Sequence, residues 1–129
     1  MKNELFTLSD FAQDNNGKLT VIGTFDTIFS KELPAQHPLL CIAARIRFDH
    51  NETGKHVIKI ELTDPQNKSI LPPLESEIFI ENMTDDTAVA NIVLQLNMIN
   101  FNTLGKYYIR LFVDNTELAI NPLYLKRAQ

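Results

Sequence analysis

The segment from Gly105 to Leu125 constrains the fold most, because it predicts its own strand pairing. If Asp114 and Asn115 form a two-residue loop, three pairs share one face of the hairpin: Val113 with Thr116, Leu111 with Leu118, and Ile109 with Ile120. Strand side chains alternate between faces, so a slip of one residue would turn one strand's apolar set away from its partner's. Asp and Asn also tolerate the positive φ that a type I′ turn requires. The segment therefore predicts an antiparallel hairpin with one face against a core.

The apolar pattern of this hairpin changes phase at Asn121-Pro122, after which Leu123 and Leu125 form the apolar series. A β-bulge explains such a change, because it inserts one extra residue into one strand. Proline cannot donate to the ladder, so the strand is predicted to lie at an edge there, or to be released locally from pairing.

Two more hairpins are predicted from turn residues and period-two alternation. In the first, Asn16-Gly17 favours a two-residue loop that pairs Leu8 with Phe25 and Ala12 with Val21. In the second, residues 52–54 would form a three-residue loop with Gly54 at the left-handed position. The strand before this loop has its apolar residues at even-numbered positions. Its inward pairs would be Phe48 with Ile58, Ile46 with Ile60, and Ala44 with Leu62, and its outward pairs Arg45 with Glu61 and Arg47 with Lys59.

Turn residues and alternation also predict the elements between these hairpins. Asp64 to Asn67 predicts a turn, and Pro72-Pro73 is incompatible with the middle of a sheet. Glu77 to Glu81 predicts a short strand, and residues 82–87 connect it to the next element. Ala88 to Leu96 predicts a strand by strict alternation, with a helix over residues 86–98 as the alternative.

These elements predict an all-β fold of about eight or nine strands. The expected architecture is a two-sheet antiparallel β-sandwich, immunoglobulin-like or of a related Greek-key type, because an open sheet would leave one broad apolar side in water. A chain of 129 residues suits one domain, expected over residues 1–129. Such a domain buries roughly two-thirds of its unfolded surface without a metal or disulfide.

The amino-acid composition restricts the cellular compartment and the classes of binding partner that are expected. Cys41 is the only cysteine, which excludes an intramolecular disulfide and fits a cytoplasmic location. The first residues lack the apolar core of a signal peptide, and no run approaches the roughly 20 apolar residues of a spanning helix, so no membrane partner is predicted. A net charge of −4 disfavours a broad phosphate-binding surface, so no nucleic acid is predicted either.

Three stretches carry a family resemblance: Leu8 to Asp26, Ala43 to Ile46, and Gly105 to Leu123. Together they resemble an uncharacterised family of small bacterial proteins, a domain of unknown function. The resemblance implies a single-domain β-sandwich over nearly the whole chain. It implies no catalytic residue, cofactor or substrate.

Two groups of residues suggest metal chemistry. His50 and His56 would lie across the mouth of the second hairpin, near Asp49 and Glu52, but without a tight ligand spacing. Acidic loop residues could converge on calcium at one end of a sandwich: Asp14, Asp26, Asp85, Asp86 and Asp114. Since Asx residues in turns are explained by backbone hydrogen bonds, and the histidines by a solvated hairpin end, no metal or cofactor is predicted.

Asp10 and Cys41 are the other two residues whose chemistry stands out. The first hairpin places Asp10 on the face of Leu8 and Ala12, opposite Gly23, where a buried carboxylate would need partners; the alternative is that Asp10 caps a local break in the strand. Cys41 has no histidine base or cation near it in sequence and is expected to be structural. No nucleophile elbow, phosphate loop or zinc signature occurs, so no enzyme activity is predicted.

The outward face of the terminal hairpin is the candidate interface. It carries Tyr108, Arg110 and Phe112, with Glu117 opposite Phe112. Aromatic residues and arginine are enriched in interface hot spots, although another strand or the C-terminal tail could cover this face instead. The sequence therefore predicts a binding or assembly module with an unknown protein partner or a second copy. A small-ligand, carbohydrate or calcium-binding sandwich is the alternative, and an enzyme is the third choice.

Overall fold

The computed structural model describes residues 1–81 and 84–129. These residues form nine strands, whose bounds are β1 Lys2–Asn15, β2 Lys18–Thr24, β3 Thr27–Ser30, β4 Ala35–Asp49, β5 Gly54–Thr63, β6 Leu74–Ile80, β7 Thr87–Phe101, β8 Gly105–Val113 and β9 Thr116–Arg127. A short 3₁₀ turn, His50–Glu52, separates β4 from β5. Among the described residues, no helix is long and apolar enough to cross a membrane.

The strands form two sheets. The four-stranded sheet has the order β2-β1-β4-β7, and the five-stranded sheet, which curls like half a barrel, has the order β3-β9-β8-β5-β6. The predicted all-β class and strand number are confirmed. The prediction that all strands pair antiparallel is wrong at one place. The chain crosses from β2 in the four-stranded sheet to β3 in the five-stranded sheet, and β3 runs parallel to β9.

One hydrophobic core receives residues from both sheets. Ile42, Ile46 and Phe48 of β4 contribute from one side, and Ile109 and Leu111 of β8 from the other, all at most 1% exposed. Because these side chains recur at every second residue, the buried set follows directly from strand periodicity. The core therefore fixes which face of each sheet is left outside.

The predicted hairpin between β4 and β5 is wrong. β4 pairs with β1 and β7, whereas β5 pairs with β6 and β8, so the two strands lie in different sheets. The 3₁₀ turn carries the chain across the core rather than back along the same sheet. Both inward apolar sets remain buried because the two strands contribute to the core from opposite sides.

The outward arginines of β4 consequently have other partners than predicted. Glu4 lies between them, with Arg45 Nε 3.1 Å from its Oε1 and Arg47 Nε 2.7 Å from its Oε2. Hydrogen bonding to Arg47, with Arg45 adding to it, lowers the pKa of Glu4 below its ordinary value. Arg45 instead pairs along the ladder with Leu5 and Asn91.

The register predicted for the terminal hairpin is confirmed at the tip and wrong beyond it. Val113 pairs with Thr116 around a loop in which both residues have positive φ, as a type I′ turn requires. Phe112 pairs with Glu117, but Leu111 pairs with Ala119, so Leu118 is the extra residue of a bulge. The predicted phase change thus occurs nearer the turn than Pro122.

The bulge reverses the predicted orientation of Ile120. Ile109 pairs with Asn121 instead, and Ile120 lies opposite Arg110 and is 43% exposed. Leu123 and Leu125 point into the core as predicted. Pro122 pairs with β8 on one side, while β3 begins its pairing with β9 only at Tyr124, so the other side is unpaired there.

The first hairpin has the predicted register, with Ala12 opposite Val21 and a hydrogen bond from the Phe25 amide to the Leu8 carbonyl. Its tip packs on the outward side of the four-stranded sheet, since Asn91 of β7 donates to Asp14 and to the Gly17 carbonyl. The tip of this hairpin is therefore bonded to β7, which lies two strands away from β1 in the sheet order.

β7 is a strand of fifteen residues, so strand rather than helix is confirmed for this segment. The predicted connection over residues 82–87 begins at residues 82 and 83, which lie outside the described residues. The turn at Asp64 is confirmed: its carboxylate accepts hydrogen bonds from the amides of Gln66 and Lys68.

Tyr107 provides a test of the packing between β7 and β8. Its ring packs edge-on against Phe101 with centroids 5.1 Å apart, and its hydroxyl donates to the Thr103 carbonyl at 2.8 Å. We expect Tyr107→Phe to lower the free energy of unfolding by about 1–2 kcal/mol, because the carbonyl loses its partner while the ring stays packed. Urea denaturation measures this. The control Tyr124→Phe, at a half-exposed site, should stay within about 0.5 kcal/mol of the parent, and equal losses would contradict the prediction.

Candidate binding surface

The outward side of the five-stranded sheet is the main candidate site. Paired residues point to the same side of a sheet, so strand register assigns this surface directly. We call it the outer face, and its central residues are Lys59, Glu61, Lys106, Tyr108, Arg110, Phe112, Glu117, Ile120, Pro122 and Tyr124. The residues between them, such as Ile109 and Leu111, point into the core.

The structure brings the four predicted interface residues together on the outer face. Arg110 is central: its Nη1 donates to Thr63 Oγ1 at 2.8 Å, and its Nε lies 3.3 Å from Glu117 Oε1. The guanidinium also lies 5.1 Å from the centre of the Tyr108 ring. Phe112 sits beside this group and carries the Lys59 ammonium 4.7 Å from its ring centre. The side chains are held in place by contacts with their neighbours.

A second group of outer-face residues extends the predicted interface towards β3. Lys106 lies 5.1 Å from the ring centre of Tyr108 and 5.8 Å from that of Tyr124, while Lys126 lies 5.5 Å from Tyr124. Phe29 of β3 pairs beside Lys126 and is 65% exposed. These five residues form what we call the cation–aromatic cluster. Cation–π contacts at exposed sites are each worth about 0.5–1 kcal/mol.

The charges of the outer face are unevenly paired. Lys55 lies 3.0 Å from Glu77 and Lys59 lies 3.6 Å from Glu61, so this half of the sheet is balanced. Within residues 1–81 and 84–129, neither Lys106 nor Lys126 makes an ion pair. The cluster is therefore a local positive region on a chain with a net charge of −4.

A separate polar network joins the β4–β5 connection to the tip of the β8–β9 hairpin. His56 is 8% exposed, and its Nδ1 lies 2.6 Å from Asp114 Oδ2 while its Nε2 lies 2.7 Å from the Glu52 carbonyl oxygen. A carboxylate and a carbonyl oxygen both accept hydrogen bonds, so both contacts are satisfied when the two ring nitrogens donate, as they do in an imidazolium ion. Asp114 Oδ1 also accepts from the Val57 amide at 2.9 Å.

This network shifts two pKa values in opposite directions. Burial acts to lower the pKa of His56, but hydrogen bonds to the Glu52 carbonyl and to Asp114 outweigh it, so the pKa is raised above the ordinary 6.5. The Val57 amide, followed by His56, holds the pKa of Asp114 below the ordinary 3.8. The pair is therefore charged at mildly acidic pH.

A protein-family model matches nearly the whole chain. The family model described as "Family of unknown function (DUF6941)" matches residues 4–126. The chain belongs to that family. No curated protein matches it. Membership confirms the resemblance to an uncharacterised family, and since the DUF6941 description assigns no activity, function has to be argued from the surface.

Among residues 1–81 and 84–129, the structure does not bring together the two candidate groups of metal ligands. The metal-binding alternative for His50 and His56 gains no support, because both ring nitrogens of His56 are hydrogen-bonded and His50 is exposed on the 3₁₀ turn. Asp14 accepts a hydrogen bond from Asn91, whereas Asp114 is bonded to His56, so these two acidic loop residues have separate partners. In the part of the chain that the structure describes, no group of three or more His, Cys, Asp or Glu side chains could hold a metal ion.

Of the two alternatives given for Asp10, the buried carboxylate is wrong. The fully buried polar residue at this bend of β1 is Ser9, whose Oγ donates to the Phe11 carbonyl at 3.0 Å. Asp10 is exposed beside Gly23, where a Cβ would lie 2.7 Å from its Oδ2. Cys41 is buried, 3.9 Å from the Asp10 carbonyl, which agrees with a structural role.

Two aromatic residues of the outer face, Phe29 and Tyr124, were not predicted, for different reasons. Phe29 belongs to a four-residue strand that is too short to show clear alternation. Tyr124 lies beyond the bulge, so its orientation depends on where the extra residue is inserted. Alternation with the inward Leu123 and Leu125 is the signal that would have placed Tyr124 outside.

Proposed function

We propose that this DUF6941 chain is a non-enzymatic binding module that acts through protein–protein contacts, and that its outer face binds an acidic, partly apolar segment of a partner protein. The cation–aromatic cluster carries this proposal. Lys106 and Lys126 supply positive charge, and Tyr108, Tyr124 and Phe29 supply aromatic surface beside it.

The physical arrangement favours binding of this kind. Tyrosine and arginine are enriched in hot spots, and a tyrosine ring buries a large area at a low cost in conformational entropy. Here the rings are already held by neighbouring cations, so little further ordering is needed when a partner arrives. Glutamate or aspartate side chains of a partner would pair with Lys106 and Lys126, while its apolar side chains would cover Phe29.

The finer architecture belongs to the same proposal. We infer a β-sandwich of immunoglobulin-like or related Greek-key type, in a bacterial and cytoplasmic protein. The bond from the Tyr107 hydroxyl to the Thr103 carbonyl supports the Greek-key assignment, since a tyrosine bonded to backbone a few residues upstream is typical of such sandwiches. The free, buried Cys41 is in keeping with a reducing compartment.

The proposal is tested with a defined peptide probe. An eight-residue peptide of alternating Glu and Phe is titrated into ¹⁵N-labelled protein at low salt, with the alternating Lys and Phe peptide as the reference. We expect amide shifts from the Glu peptide to map to β8, β9 and β3, because its charge complements the cluster. Binding should weaken as salt is added, since exposed charges are screened.

Charge reversal gives the matched control. The double variant Lys106→Glu with Lys126→Glu is expected to weaken binding of the Glu peptide about tenfold, which corresponds to about 1.4 kcal/mol. Lys2→Glu with Lys18→Glu makes the same change in net charge at exposed positions on the other sheet and should leave affinity nearly unchanged. Equal weakening by both variants, or shifts that map away from the outer face, would overturn the proposal.

A further inference from the structure

The two sheets end in four edge strands: β2 and β7 in one sheet, β3 and β6 in the other. An edge strand presents unpaired backbone donors and acceptors, so soluble proteins shorten edges or place charges and prolines on them. Three of the four edges have such protection. The fourth edge strand, β7, lacks it.

The protected edges differ from one another in how pairing is discouraged. β3 is only four residues long, and β6 follows Pro72-Pro73 and carries Glu75 and Glu77. β2 is seven residues long, begins at Lys18, and reaches Gly23, whose φ is +72. Each of these features opposes the addition of another strand.

β7 lacks the short length, the charges and the prolines that protect the other edges. Its fifteen residues contain no Lys, Arg, Asp, Glu, Pro or Gly. It pairs with β4 over its length, and among the described residues no backbone hydrogen bond reaches its other side. Met98, with φ +56, interrupts the regular backbone, which leaves Thr87 to Asn97 as an uninterrupted edge.

We propose that β7 pairs antiparallel with β7 of a second copy of this chain. An occupant of this edge must offer an uncharged strand of similar length with its own free side, and among the described edges β7 itself is the one that does. A two-fold axis at Ile92 would set Asn91 beside Val93 of the other copy, and no charged residue of β7 would meet another across the seam. The pairing closes after two copies and leaves the protected β2 strands as the edges of an eight-stranded sheet.

β7 belongs to the four-stranded sheet, whereas the outer face belongs to the five-stranded sheet, so pairing through β7 does not depend on the proposed function. The test is sedimentation velocity of the full chain across concentration, together with Val93→Lys and Val93→Glu. Val93 lies on the outward side of β7, and the two copies of this residue would be diagonal neighbours across the seam. Lysine at both positions is expected to weaken the dimer at least tenfold, and glutamate likewise.

Mixing the Lys and Glu variants should restore a heterodimer, because opposite charges then face each other. Ile22→Lys, on the exposed β2 edge of the same sheet, is the matched control and should leave the dimer intact. A parent that sediments as a monomer throughout, or variants that dimerise as the parent does, would overturn the proposal.

Hydrogen exchange of the parent protein provides a measurement that does not depend on the folding of a variant. In the dimer, successive amides from Thr87 to Asn97 should all exchange slowly, because both sides of the strand are paired. In a monomer, every second amide would face water. Exchange of those amides at the rate of loop residues would therefore contradict the pairing.

Discussion

Replacing Phe48 by alanine is expected to lower the free energy of unfolding by about 3–5 kcal/mol. The Phe48 ring is 0% exposed and its centre lies 4.7 Å from that of the His56 imidazole, so it links the core of β4 to β5. Removal of the ring loses its transfer free energy and leaves a cavity that the two sheets can fill only in part. Urea denaturation followed by circular dichroism measures the change.

Phe79→Ala is the matched control for this prediction. Phe79 is also a strand phenylalanine, but it is 70% exposed, so its removal should change the unfolding free energy by less than about 0.5 kcal/mol. If Phe48→Ala does not fold, Phe48→Leu, with an expected loss of about 1–1.5 kcal/mol, keeps the comparison measurable. If Phe48→Leu lowers the unfolding free energy no more than Phe79→Ala does, the predicted contribution of Phe48 to the core is wrong.

Strand periodicity predicted the core more reliably than it predicted which strands pair. The inward residues of β4 and β5 were identified correctly, because alternation depends only on the strand's own sequence. The same alternation is satisfied whether two strands lie side by side or face each other across a core. The short connection containing Gly54 favoured a hairpin, but the 3₁₀ turn at His50–Glu52 carries the chain into the other sheet.

The candidate interface was predictable where it depended on one strand and unpredictable where it depended on pairing. Tyr108, Arg110 and Phe112 lie on a single strand whose inward residues are clear, so their outward position followed from the sequence. Ile120 was misplaced because nothing in the sequence around Leu118 shows that a residue is inserted there. Phe29 joins the surface only through the parallel pairing of β3 with β9, a long-range contact with no local signal.

Asp114 has one role that local sequence predicts and one that it does not. Its place in a type I′ turn was predictable, whereas its bond to His56 depends on a long-range contact and was not. Asp114→Ala is expected to lower the unfolding free energy by about 2–4 kcal/mol near pH 6, because alanine disfavours the positive φ and His56 and Val57 lose an acceptor. Asp114→Asn tolerates the turn and should lose about half as much. Equal losses for the two variants would mean that turn geometry contributes little.

The His56–Asp114 pair also predicts how stability depends on pH. The folded pKa of His56 is raised, so its contribution is fully present below the ordinary value of 6.5 and is lost as pH rises through the folded pKa. The folded pKa of Asp114 is lowered, so its contribution is present above the ordinary value of 3.8 and is lost as pH falls through the folded pKa. The unfolding free energy should therefore be highest between these limits, where imidazolium and carboxylate are both charged.

The contribution of His56 can be tested from how the unfolding free energy changes above pH 6.5. His56→Gln should remove the decrease in unfolding free energy above pH 6.5, because glutamine carries no proton that is lost there. His50→Gln is the matched control, since His50 is exposed on the neighbouring turn and should leave the decrease in place. Urea denaturation from pH 4 to pH 9 measures all three proteins. A parent whose stability rises steadily through this range would contradict the raised pKa, and with it the imidazolium bridge between β5 and the β8–β9 turn.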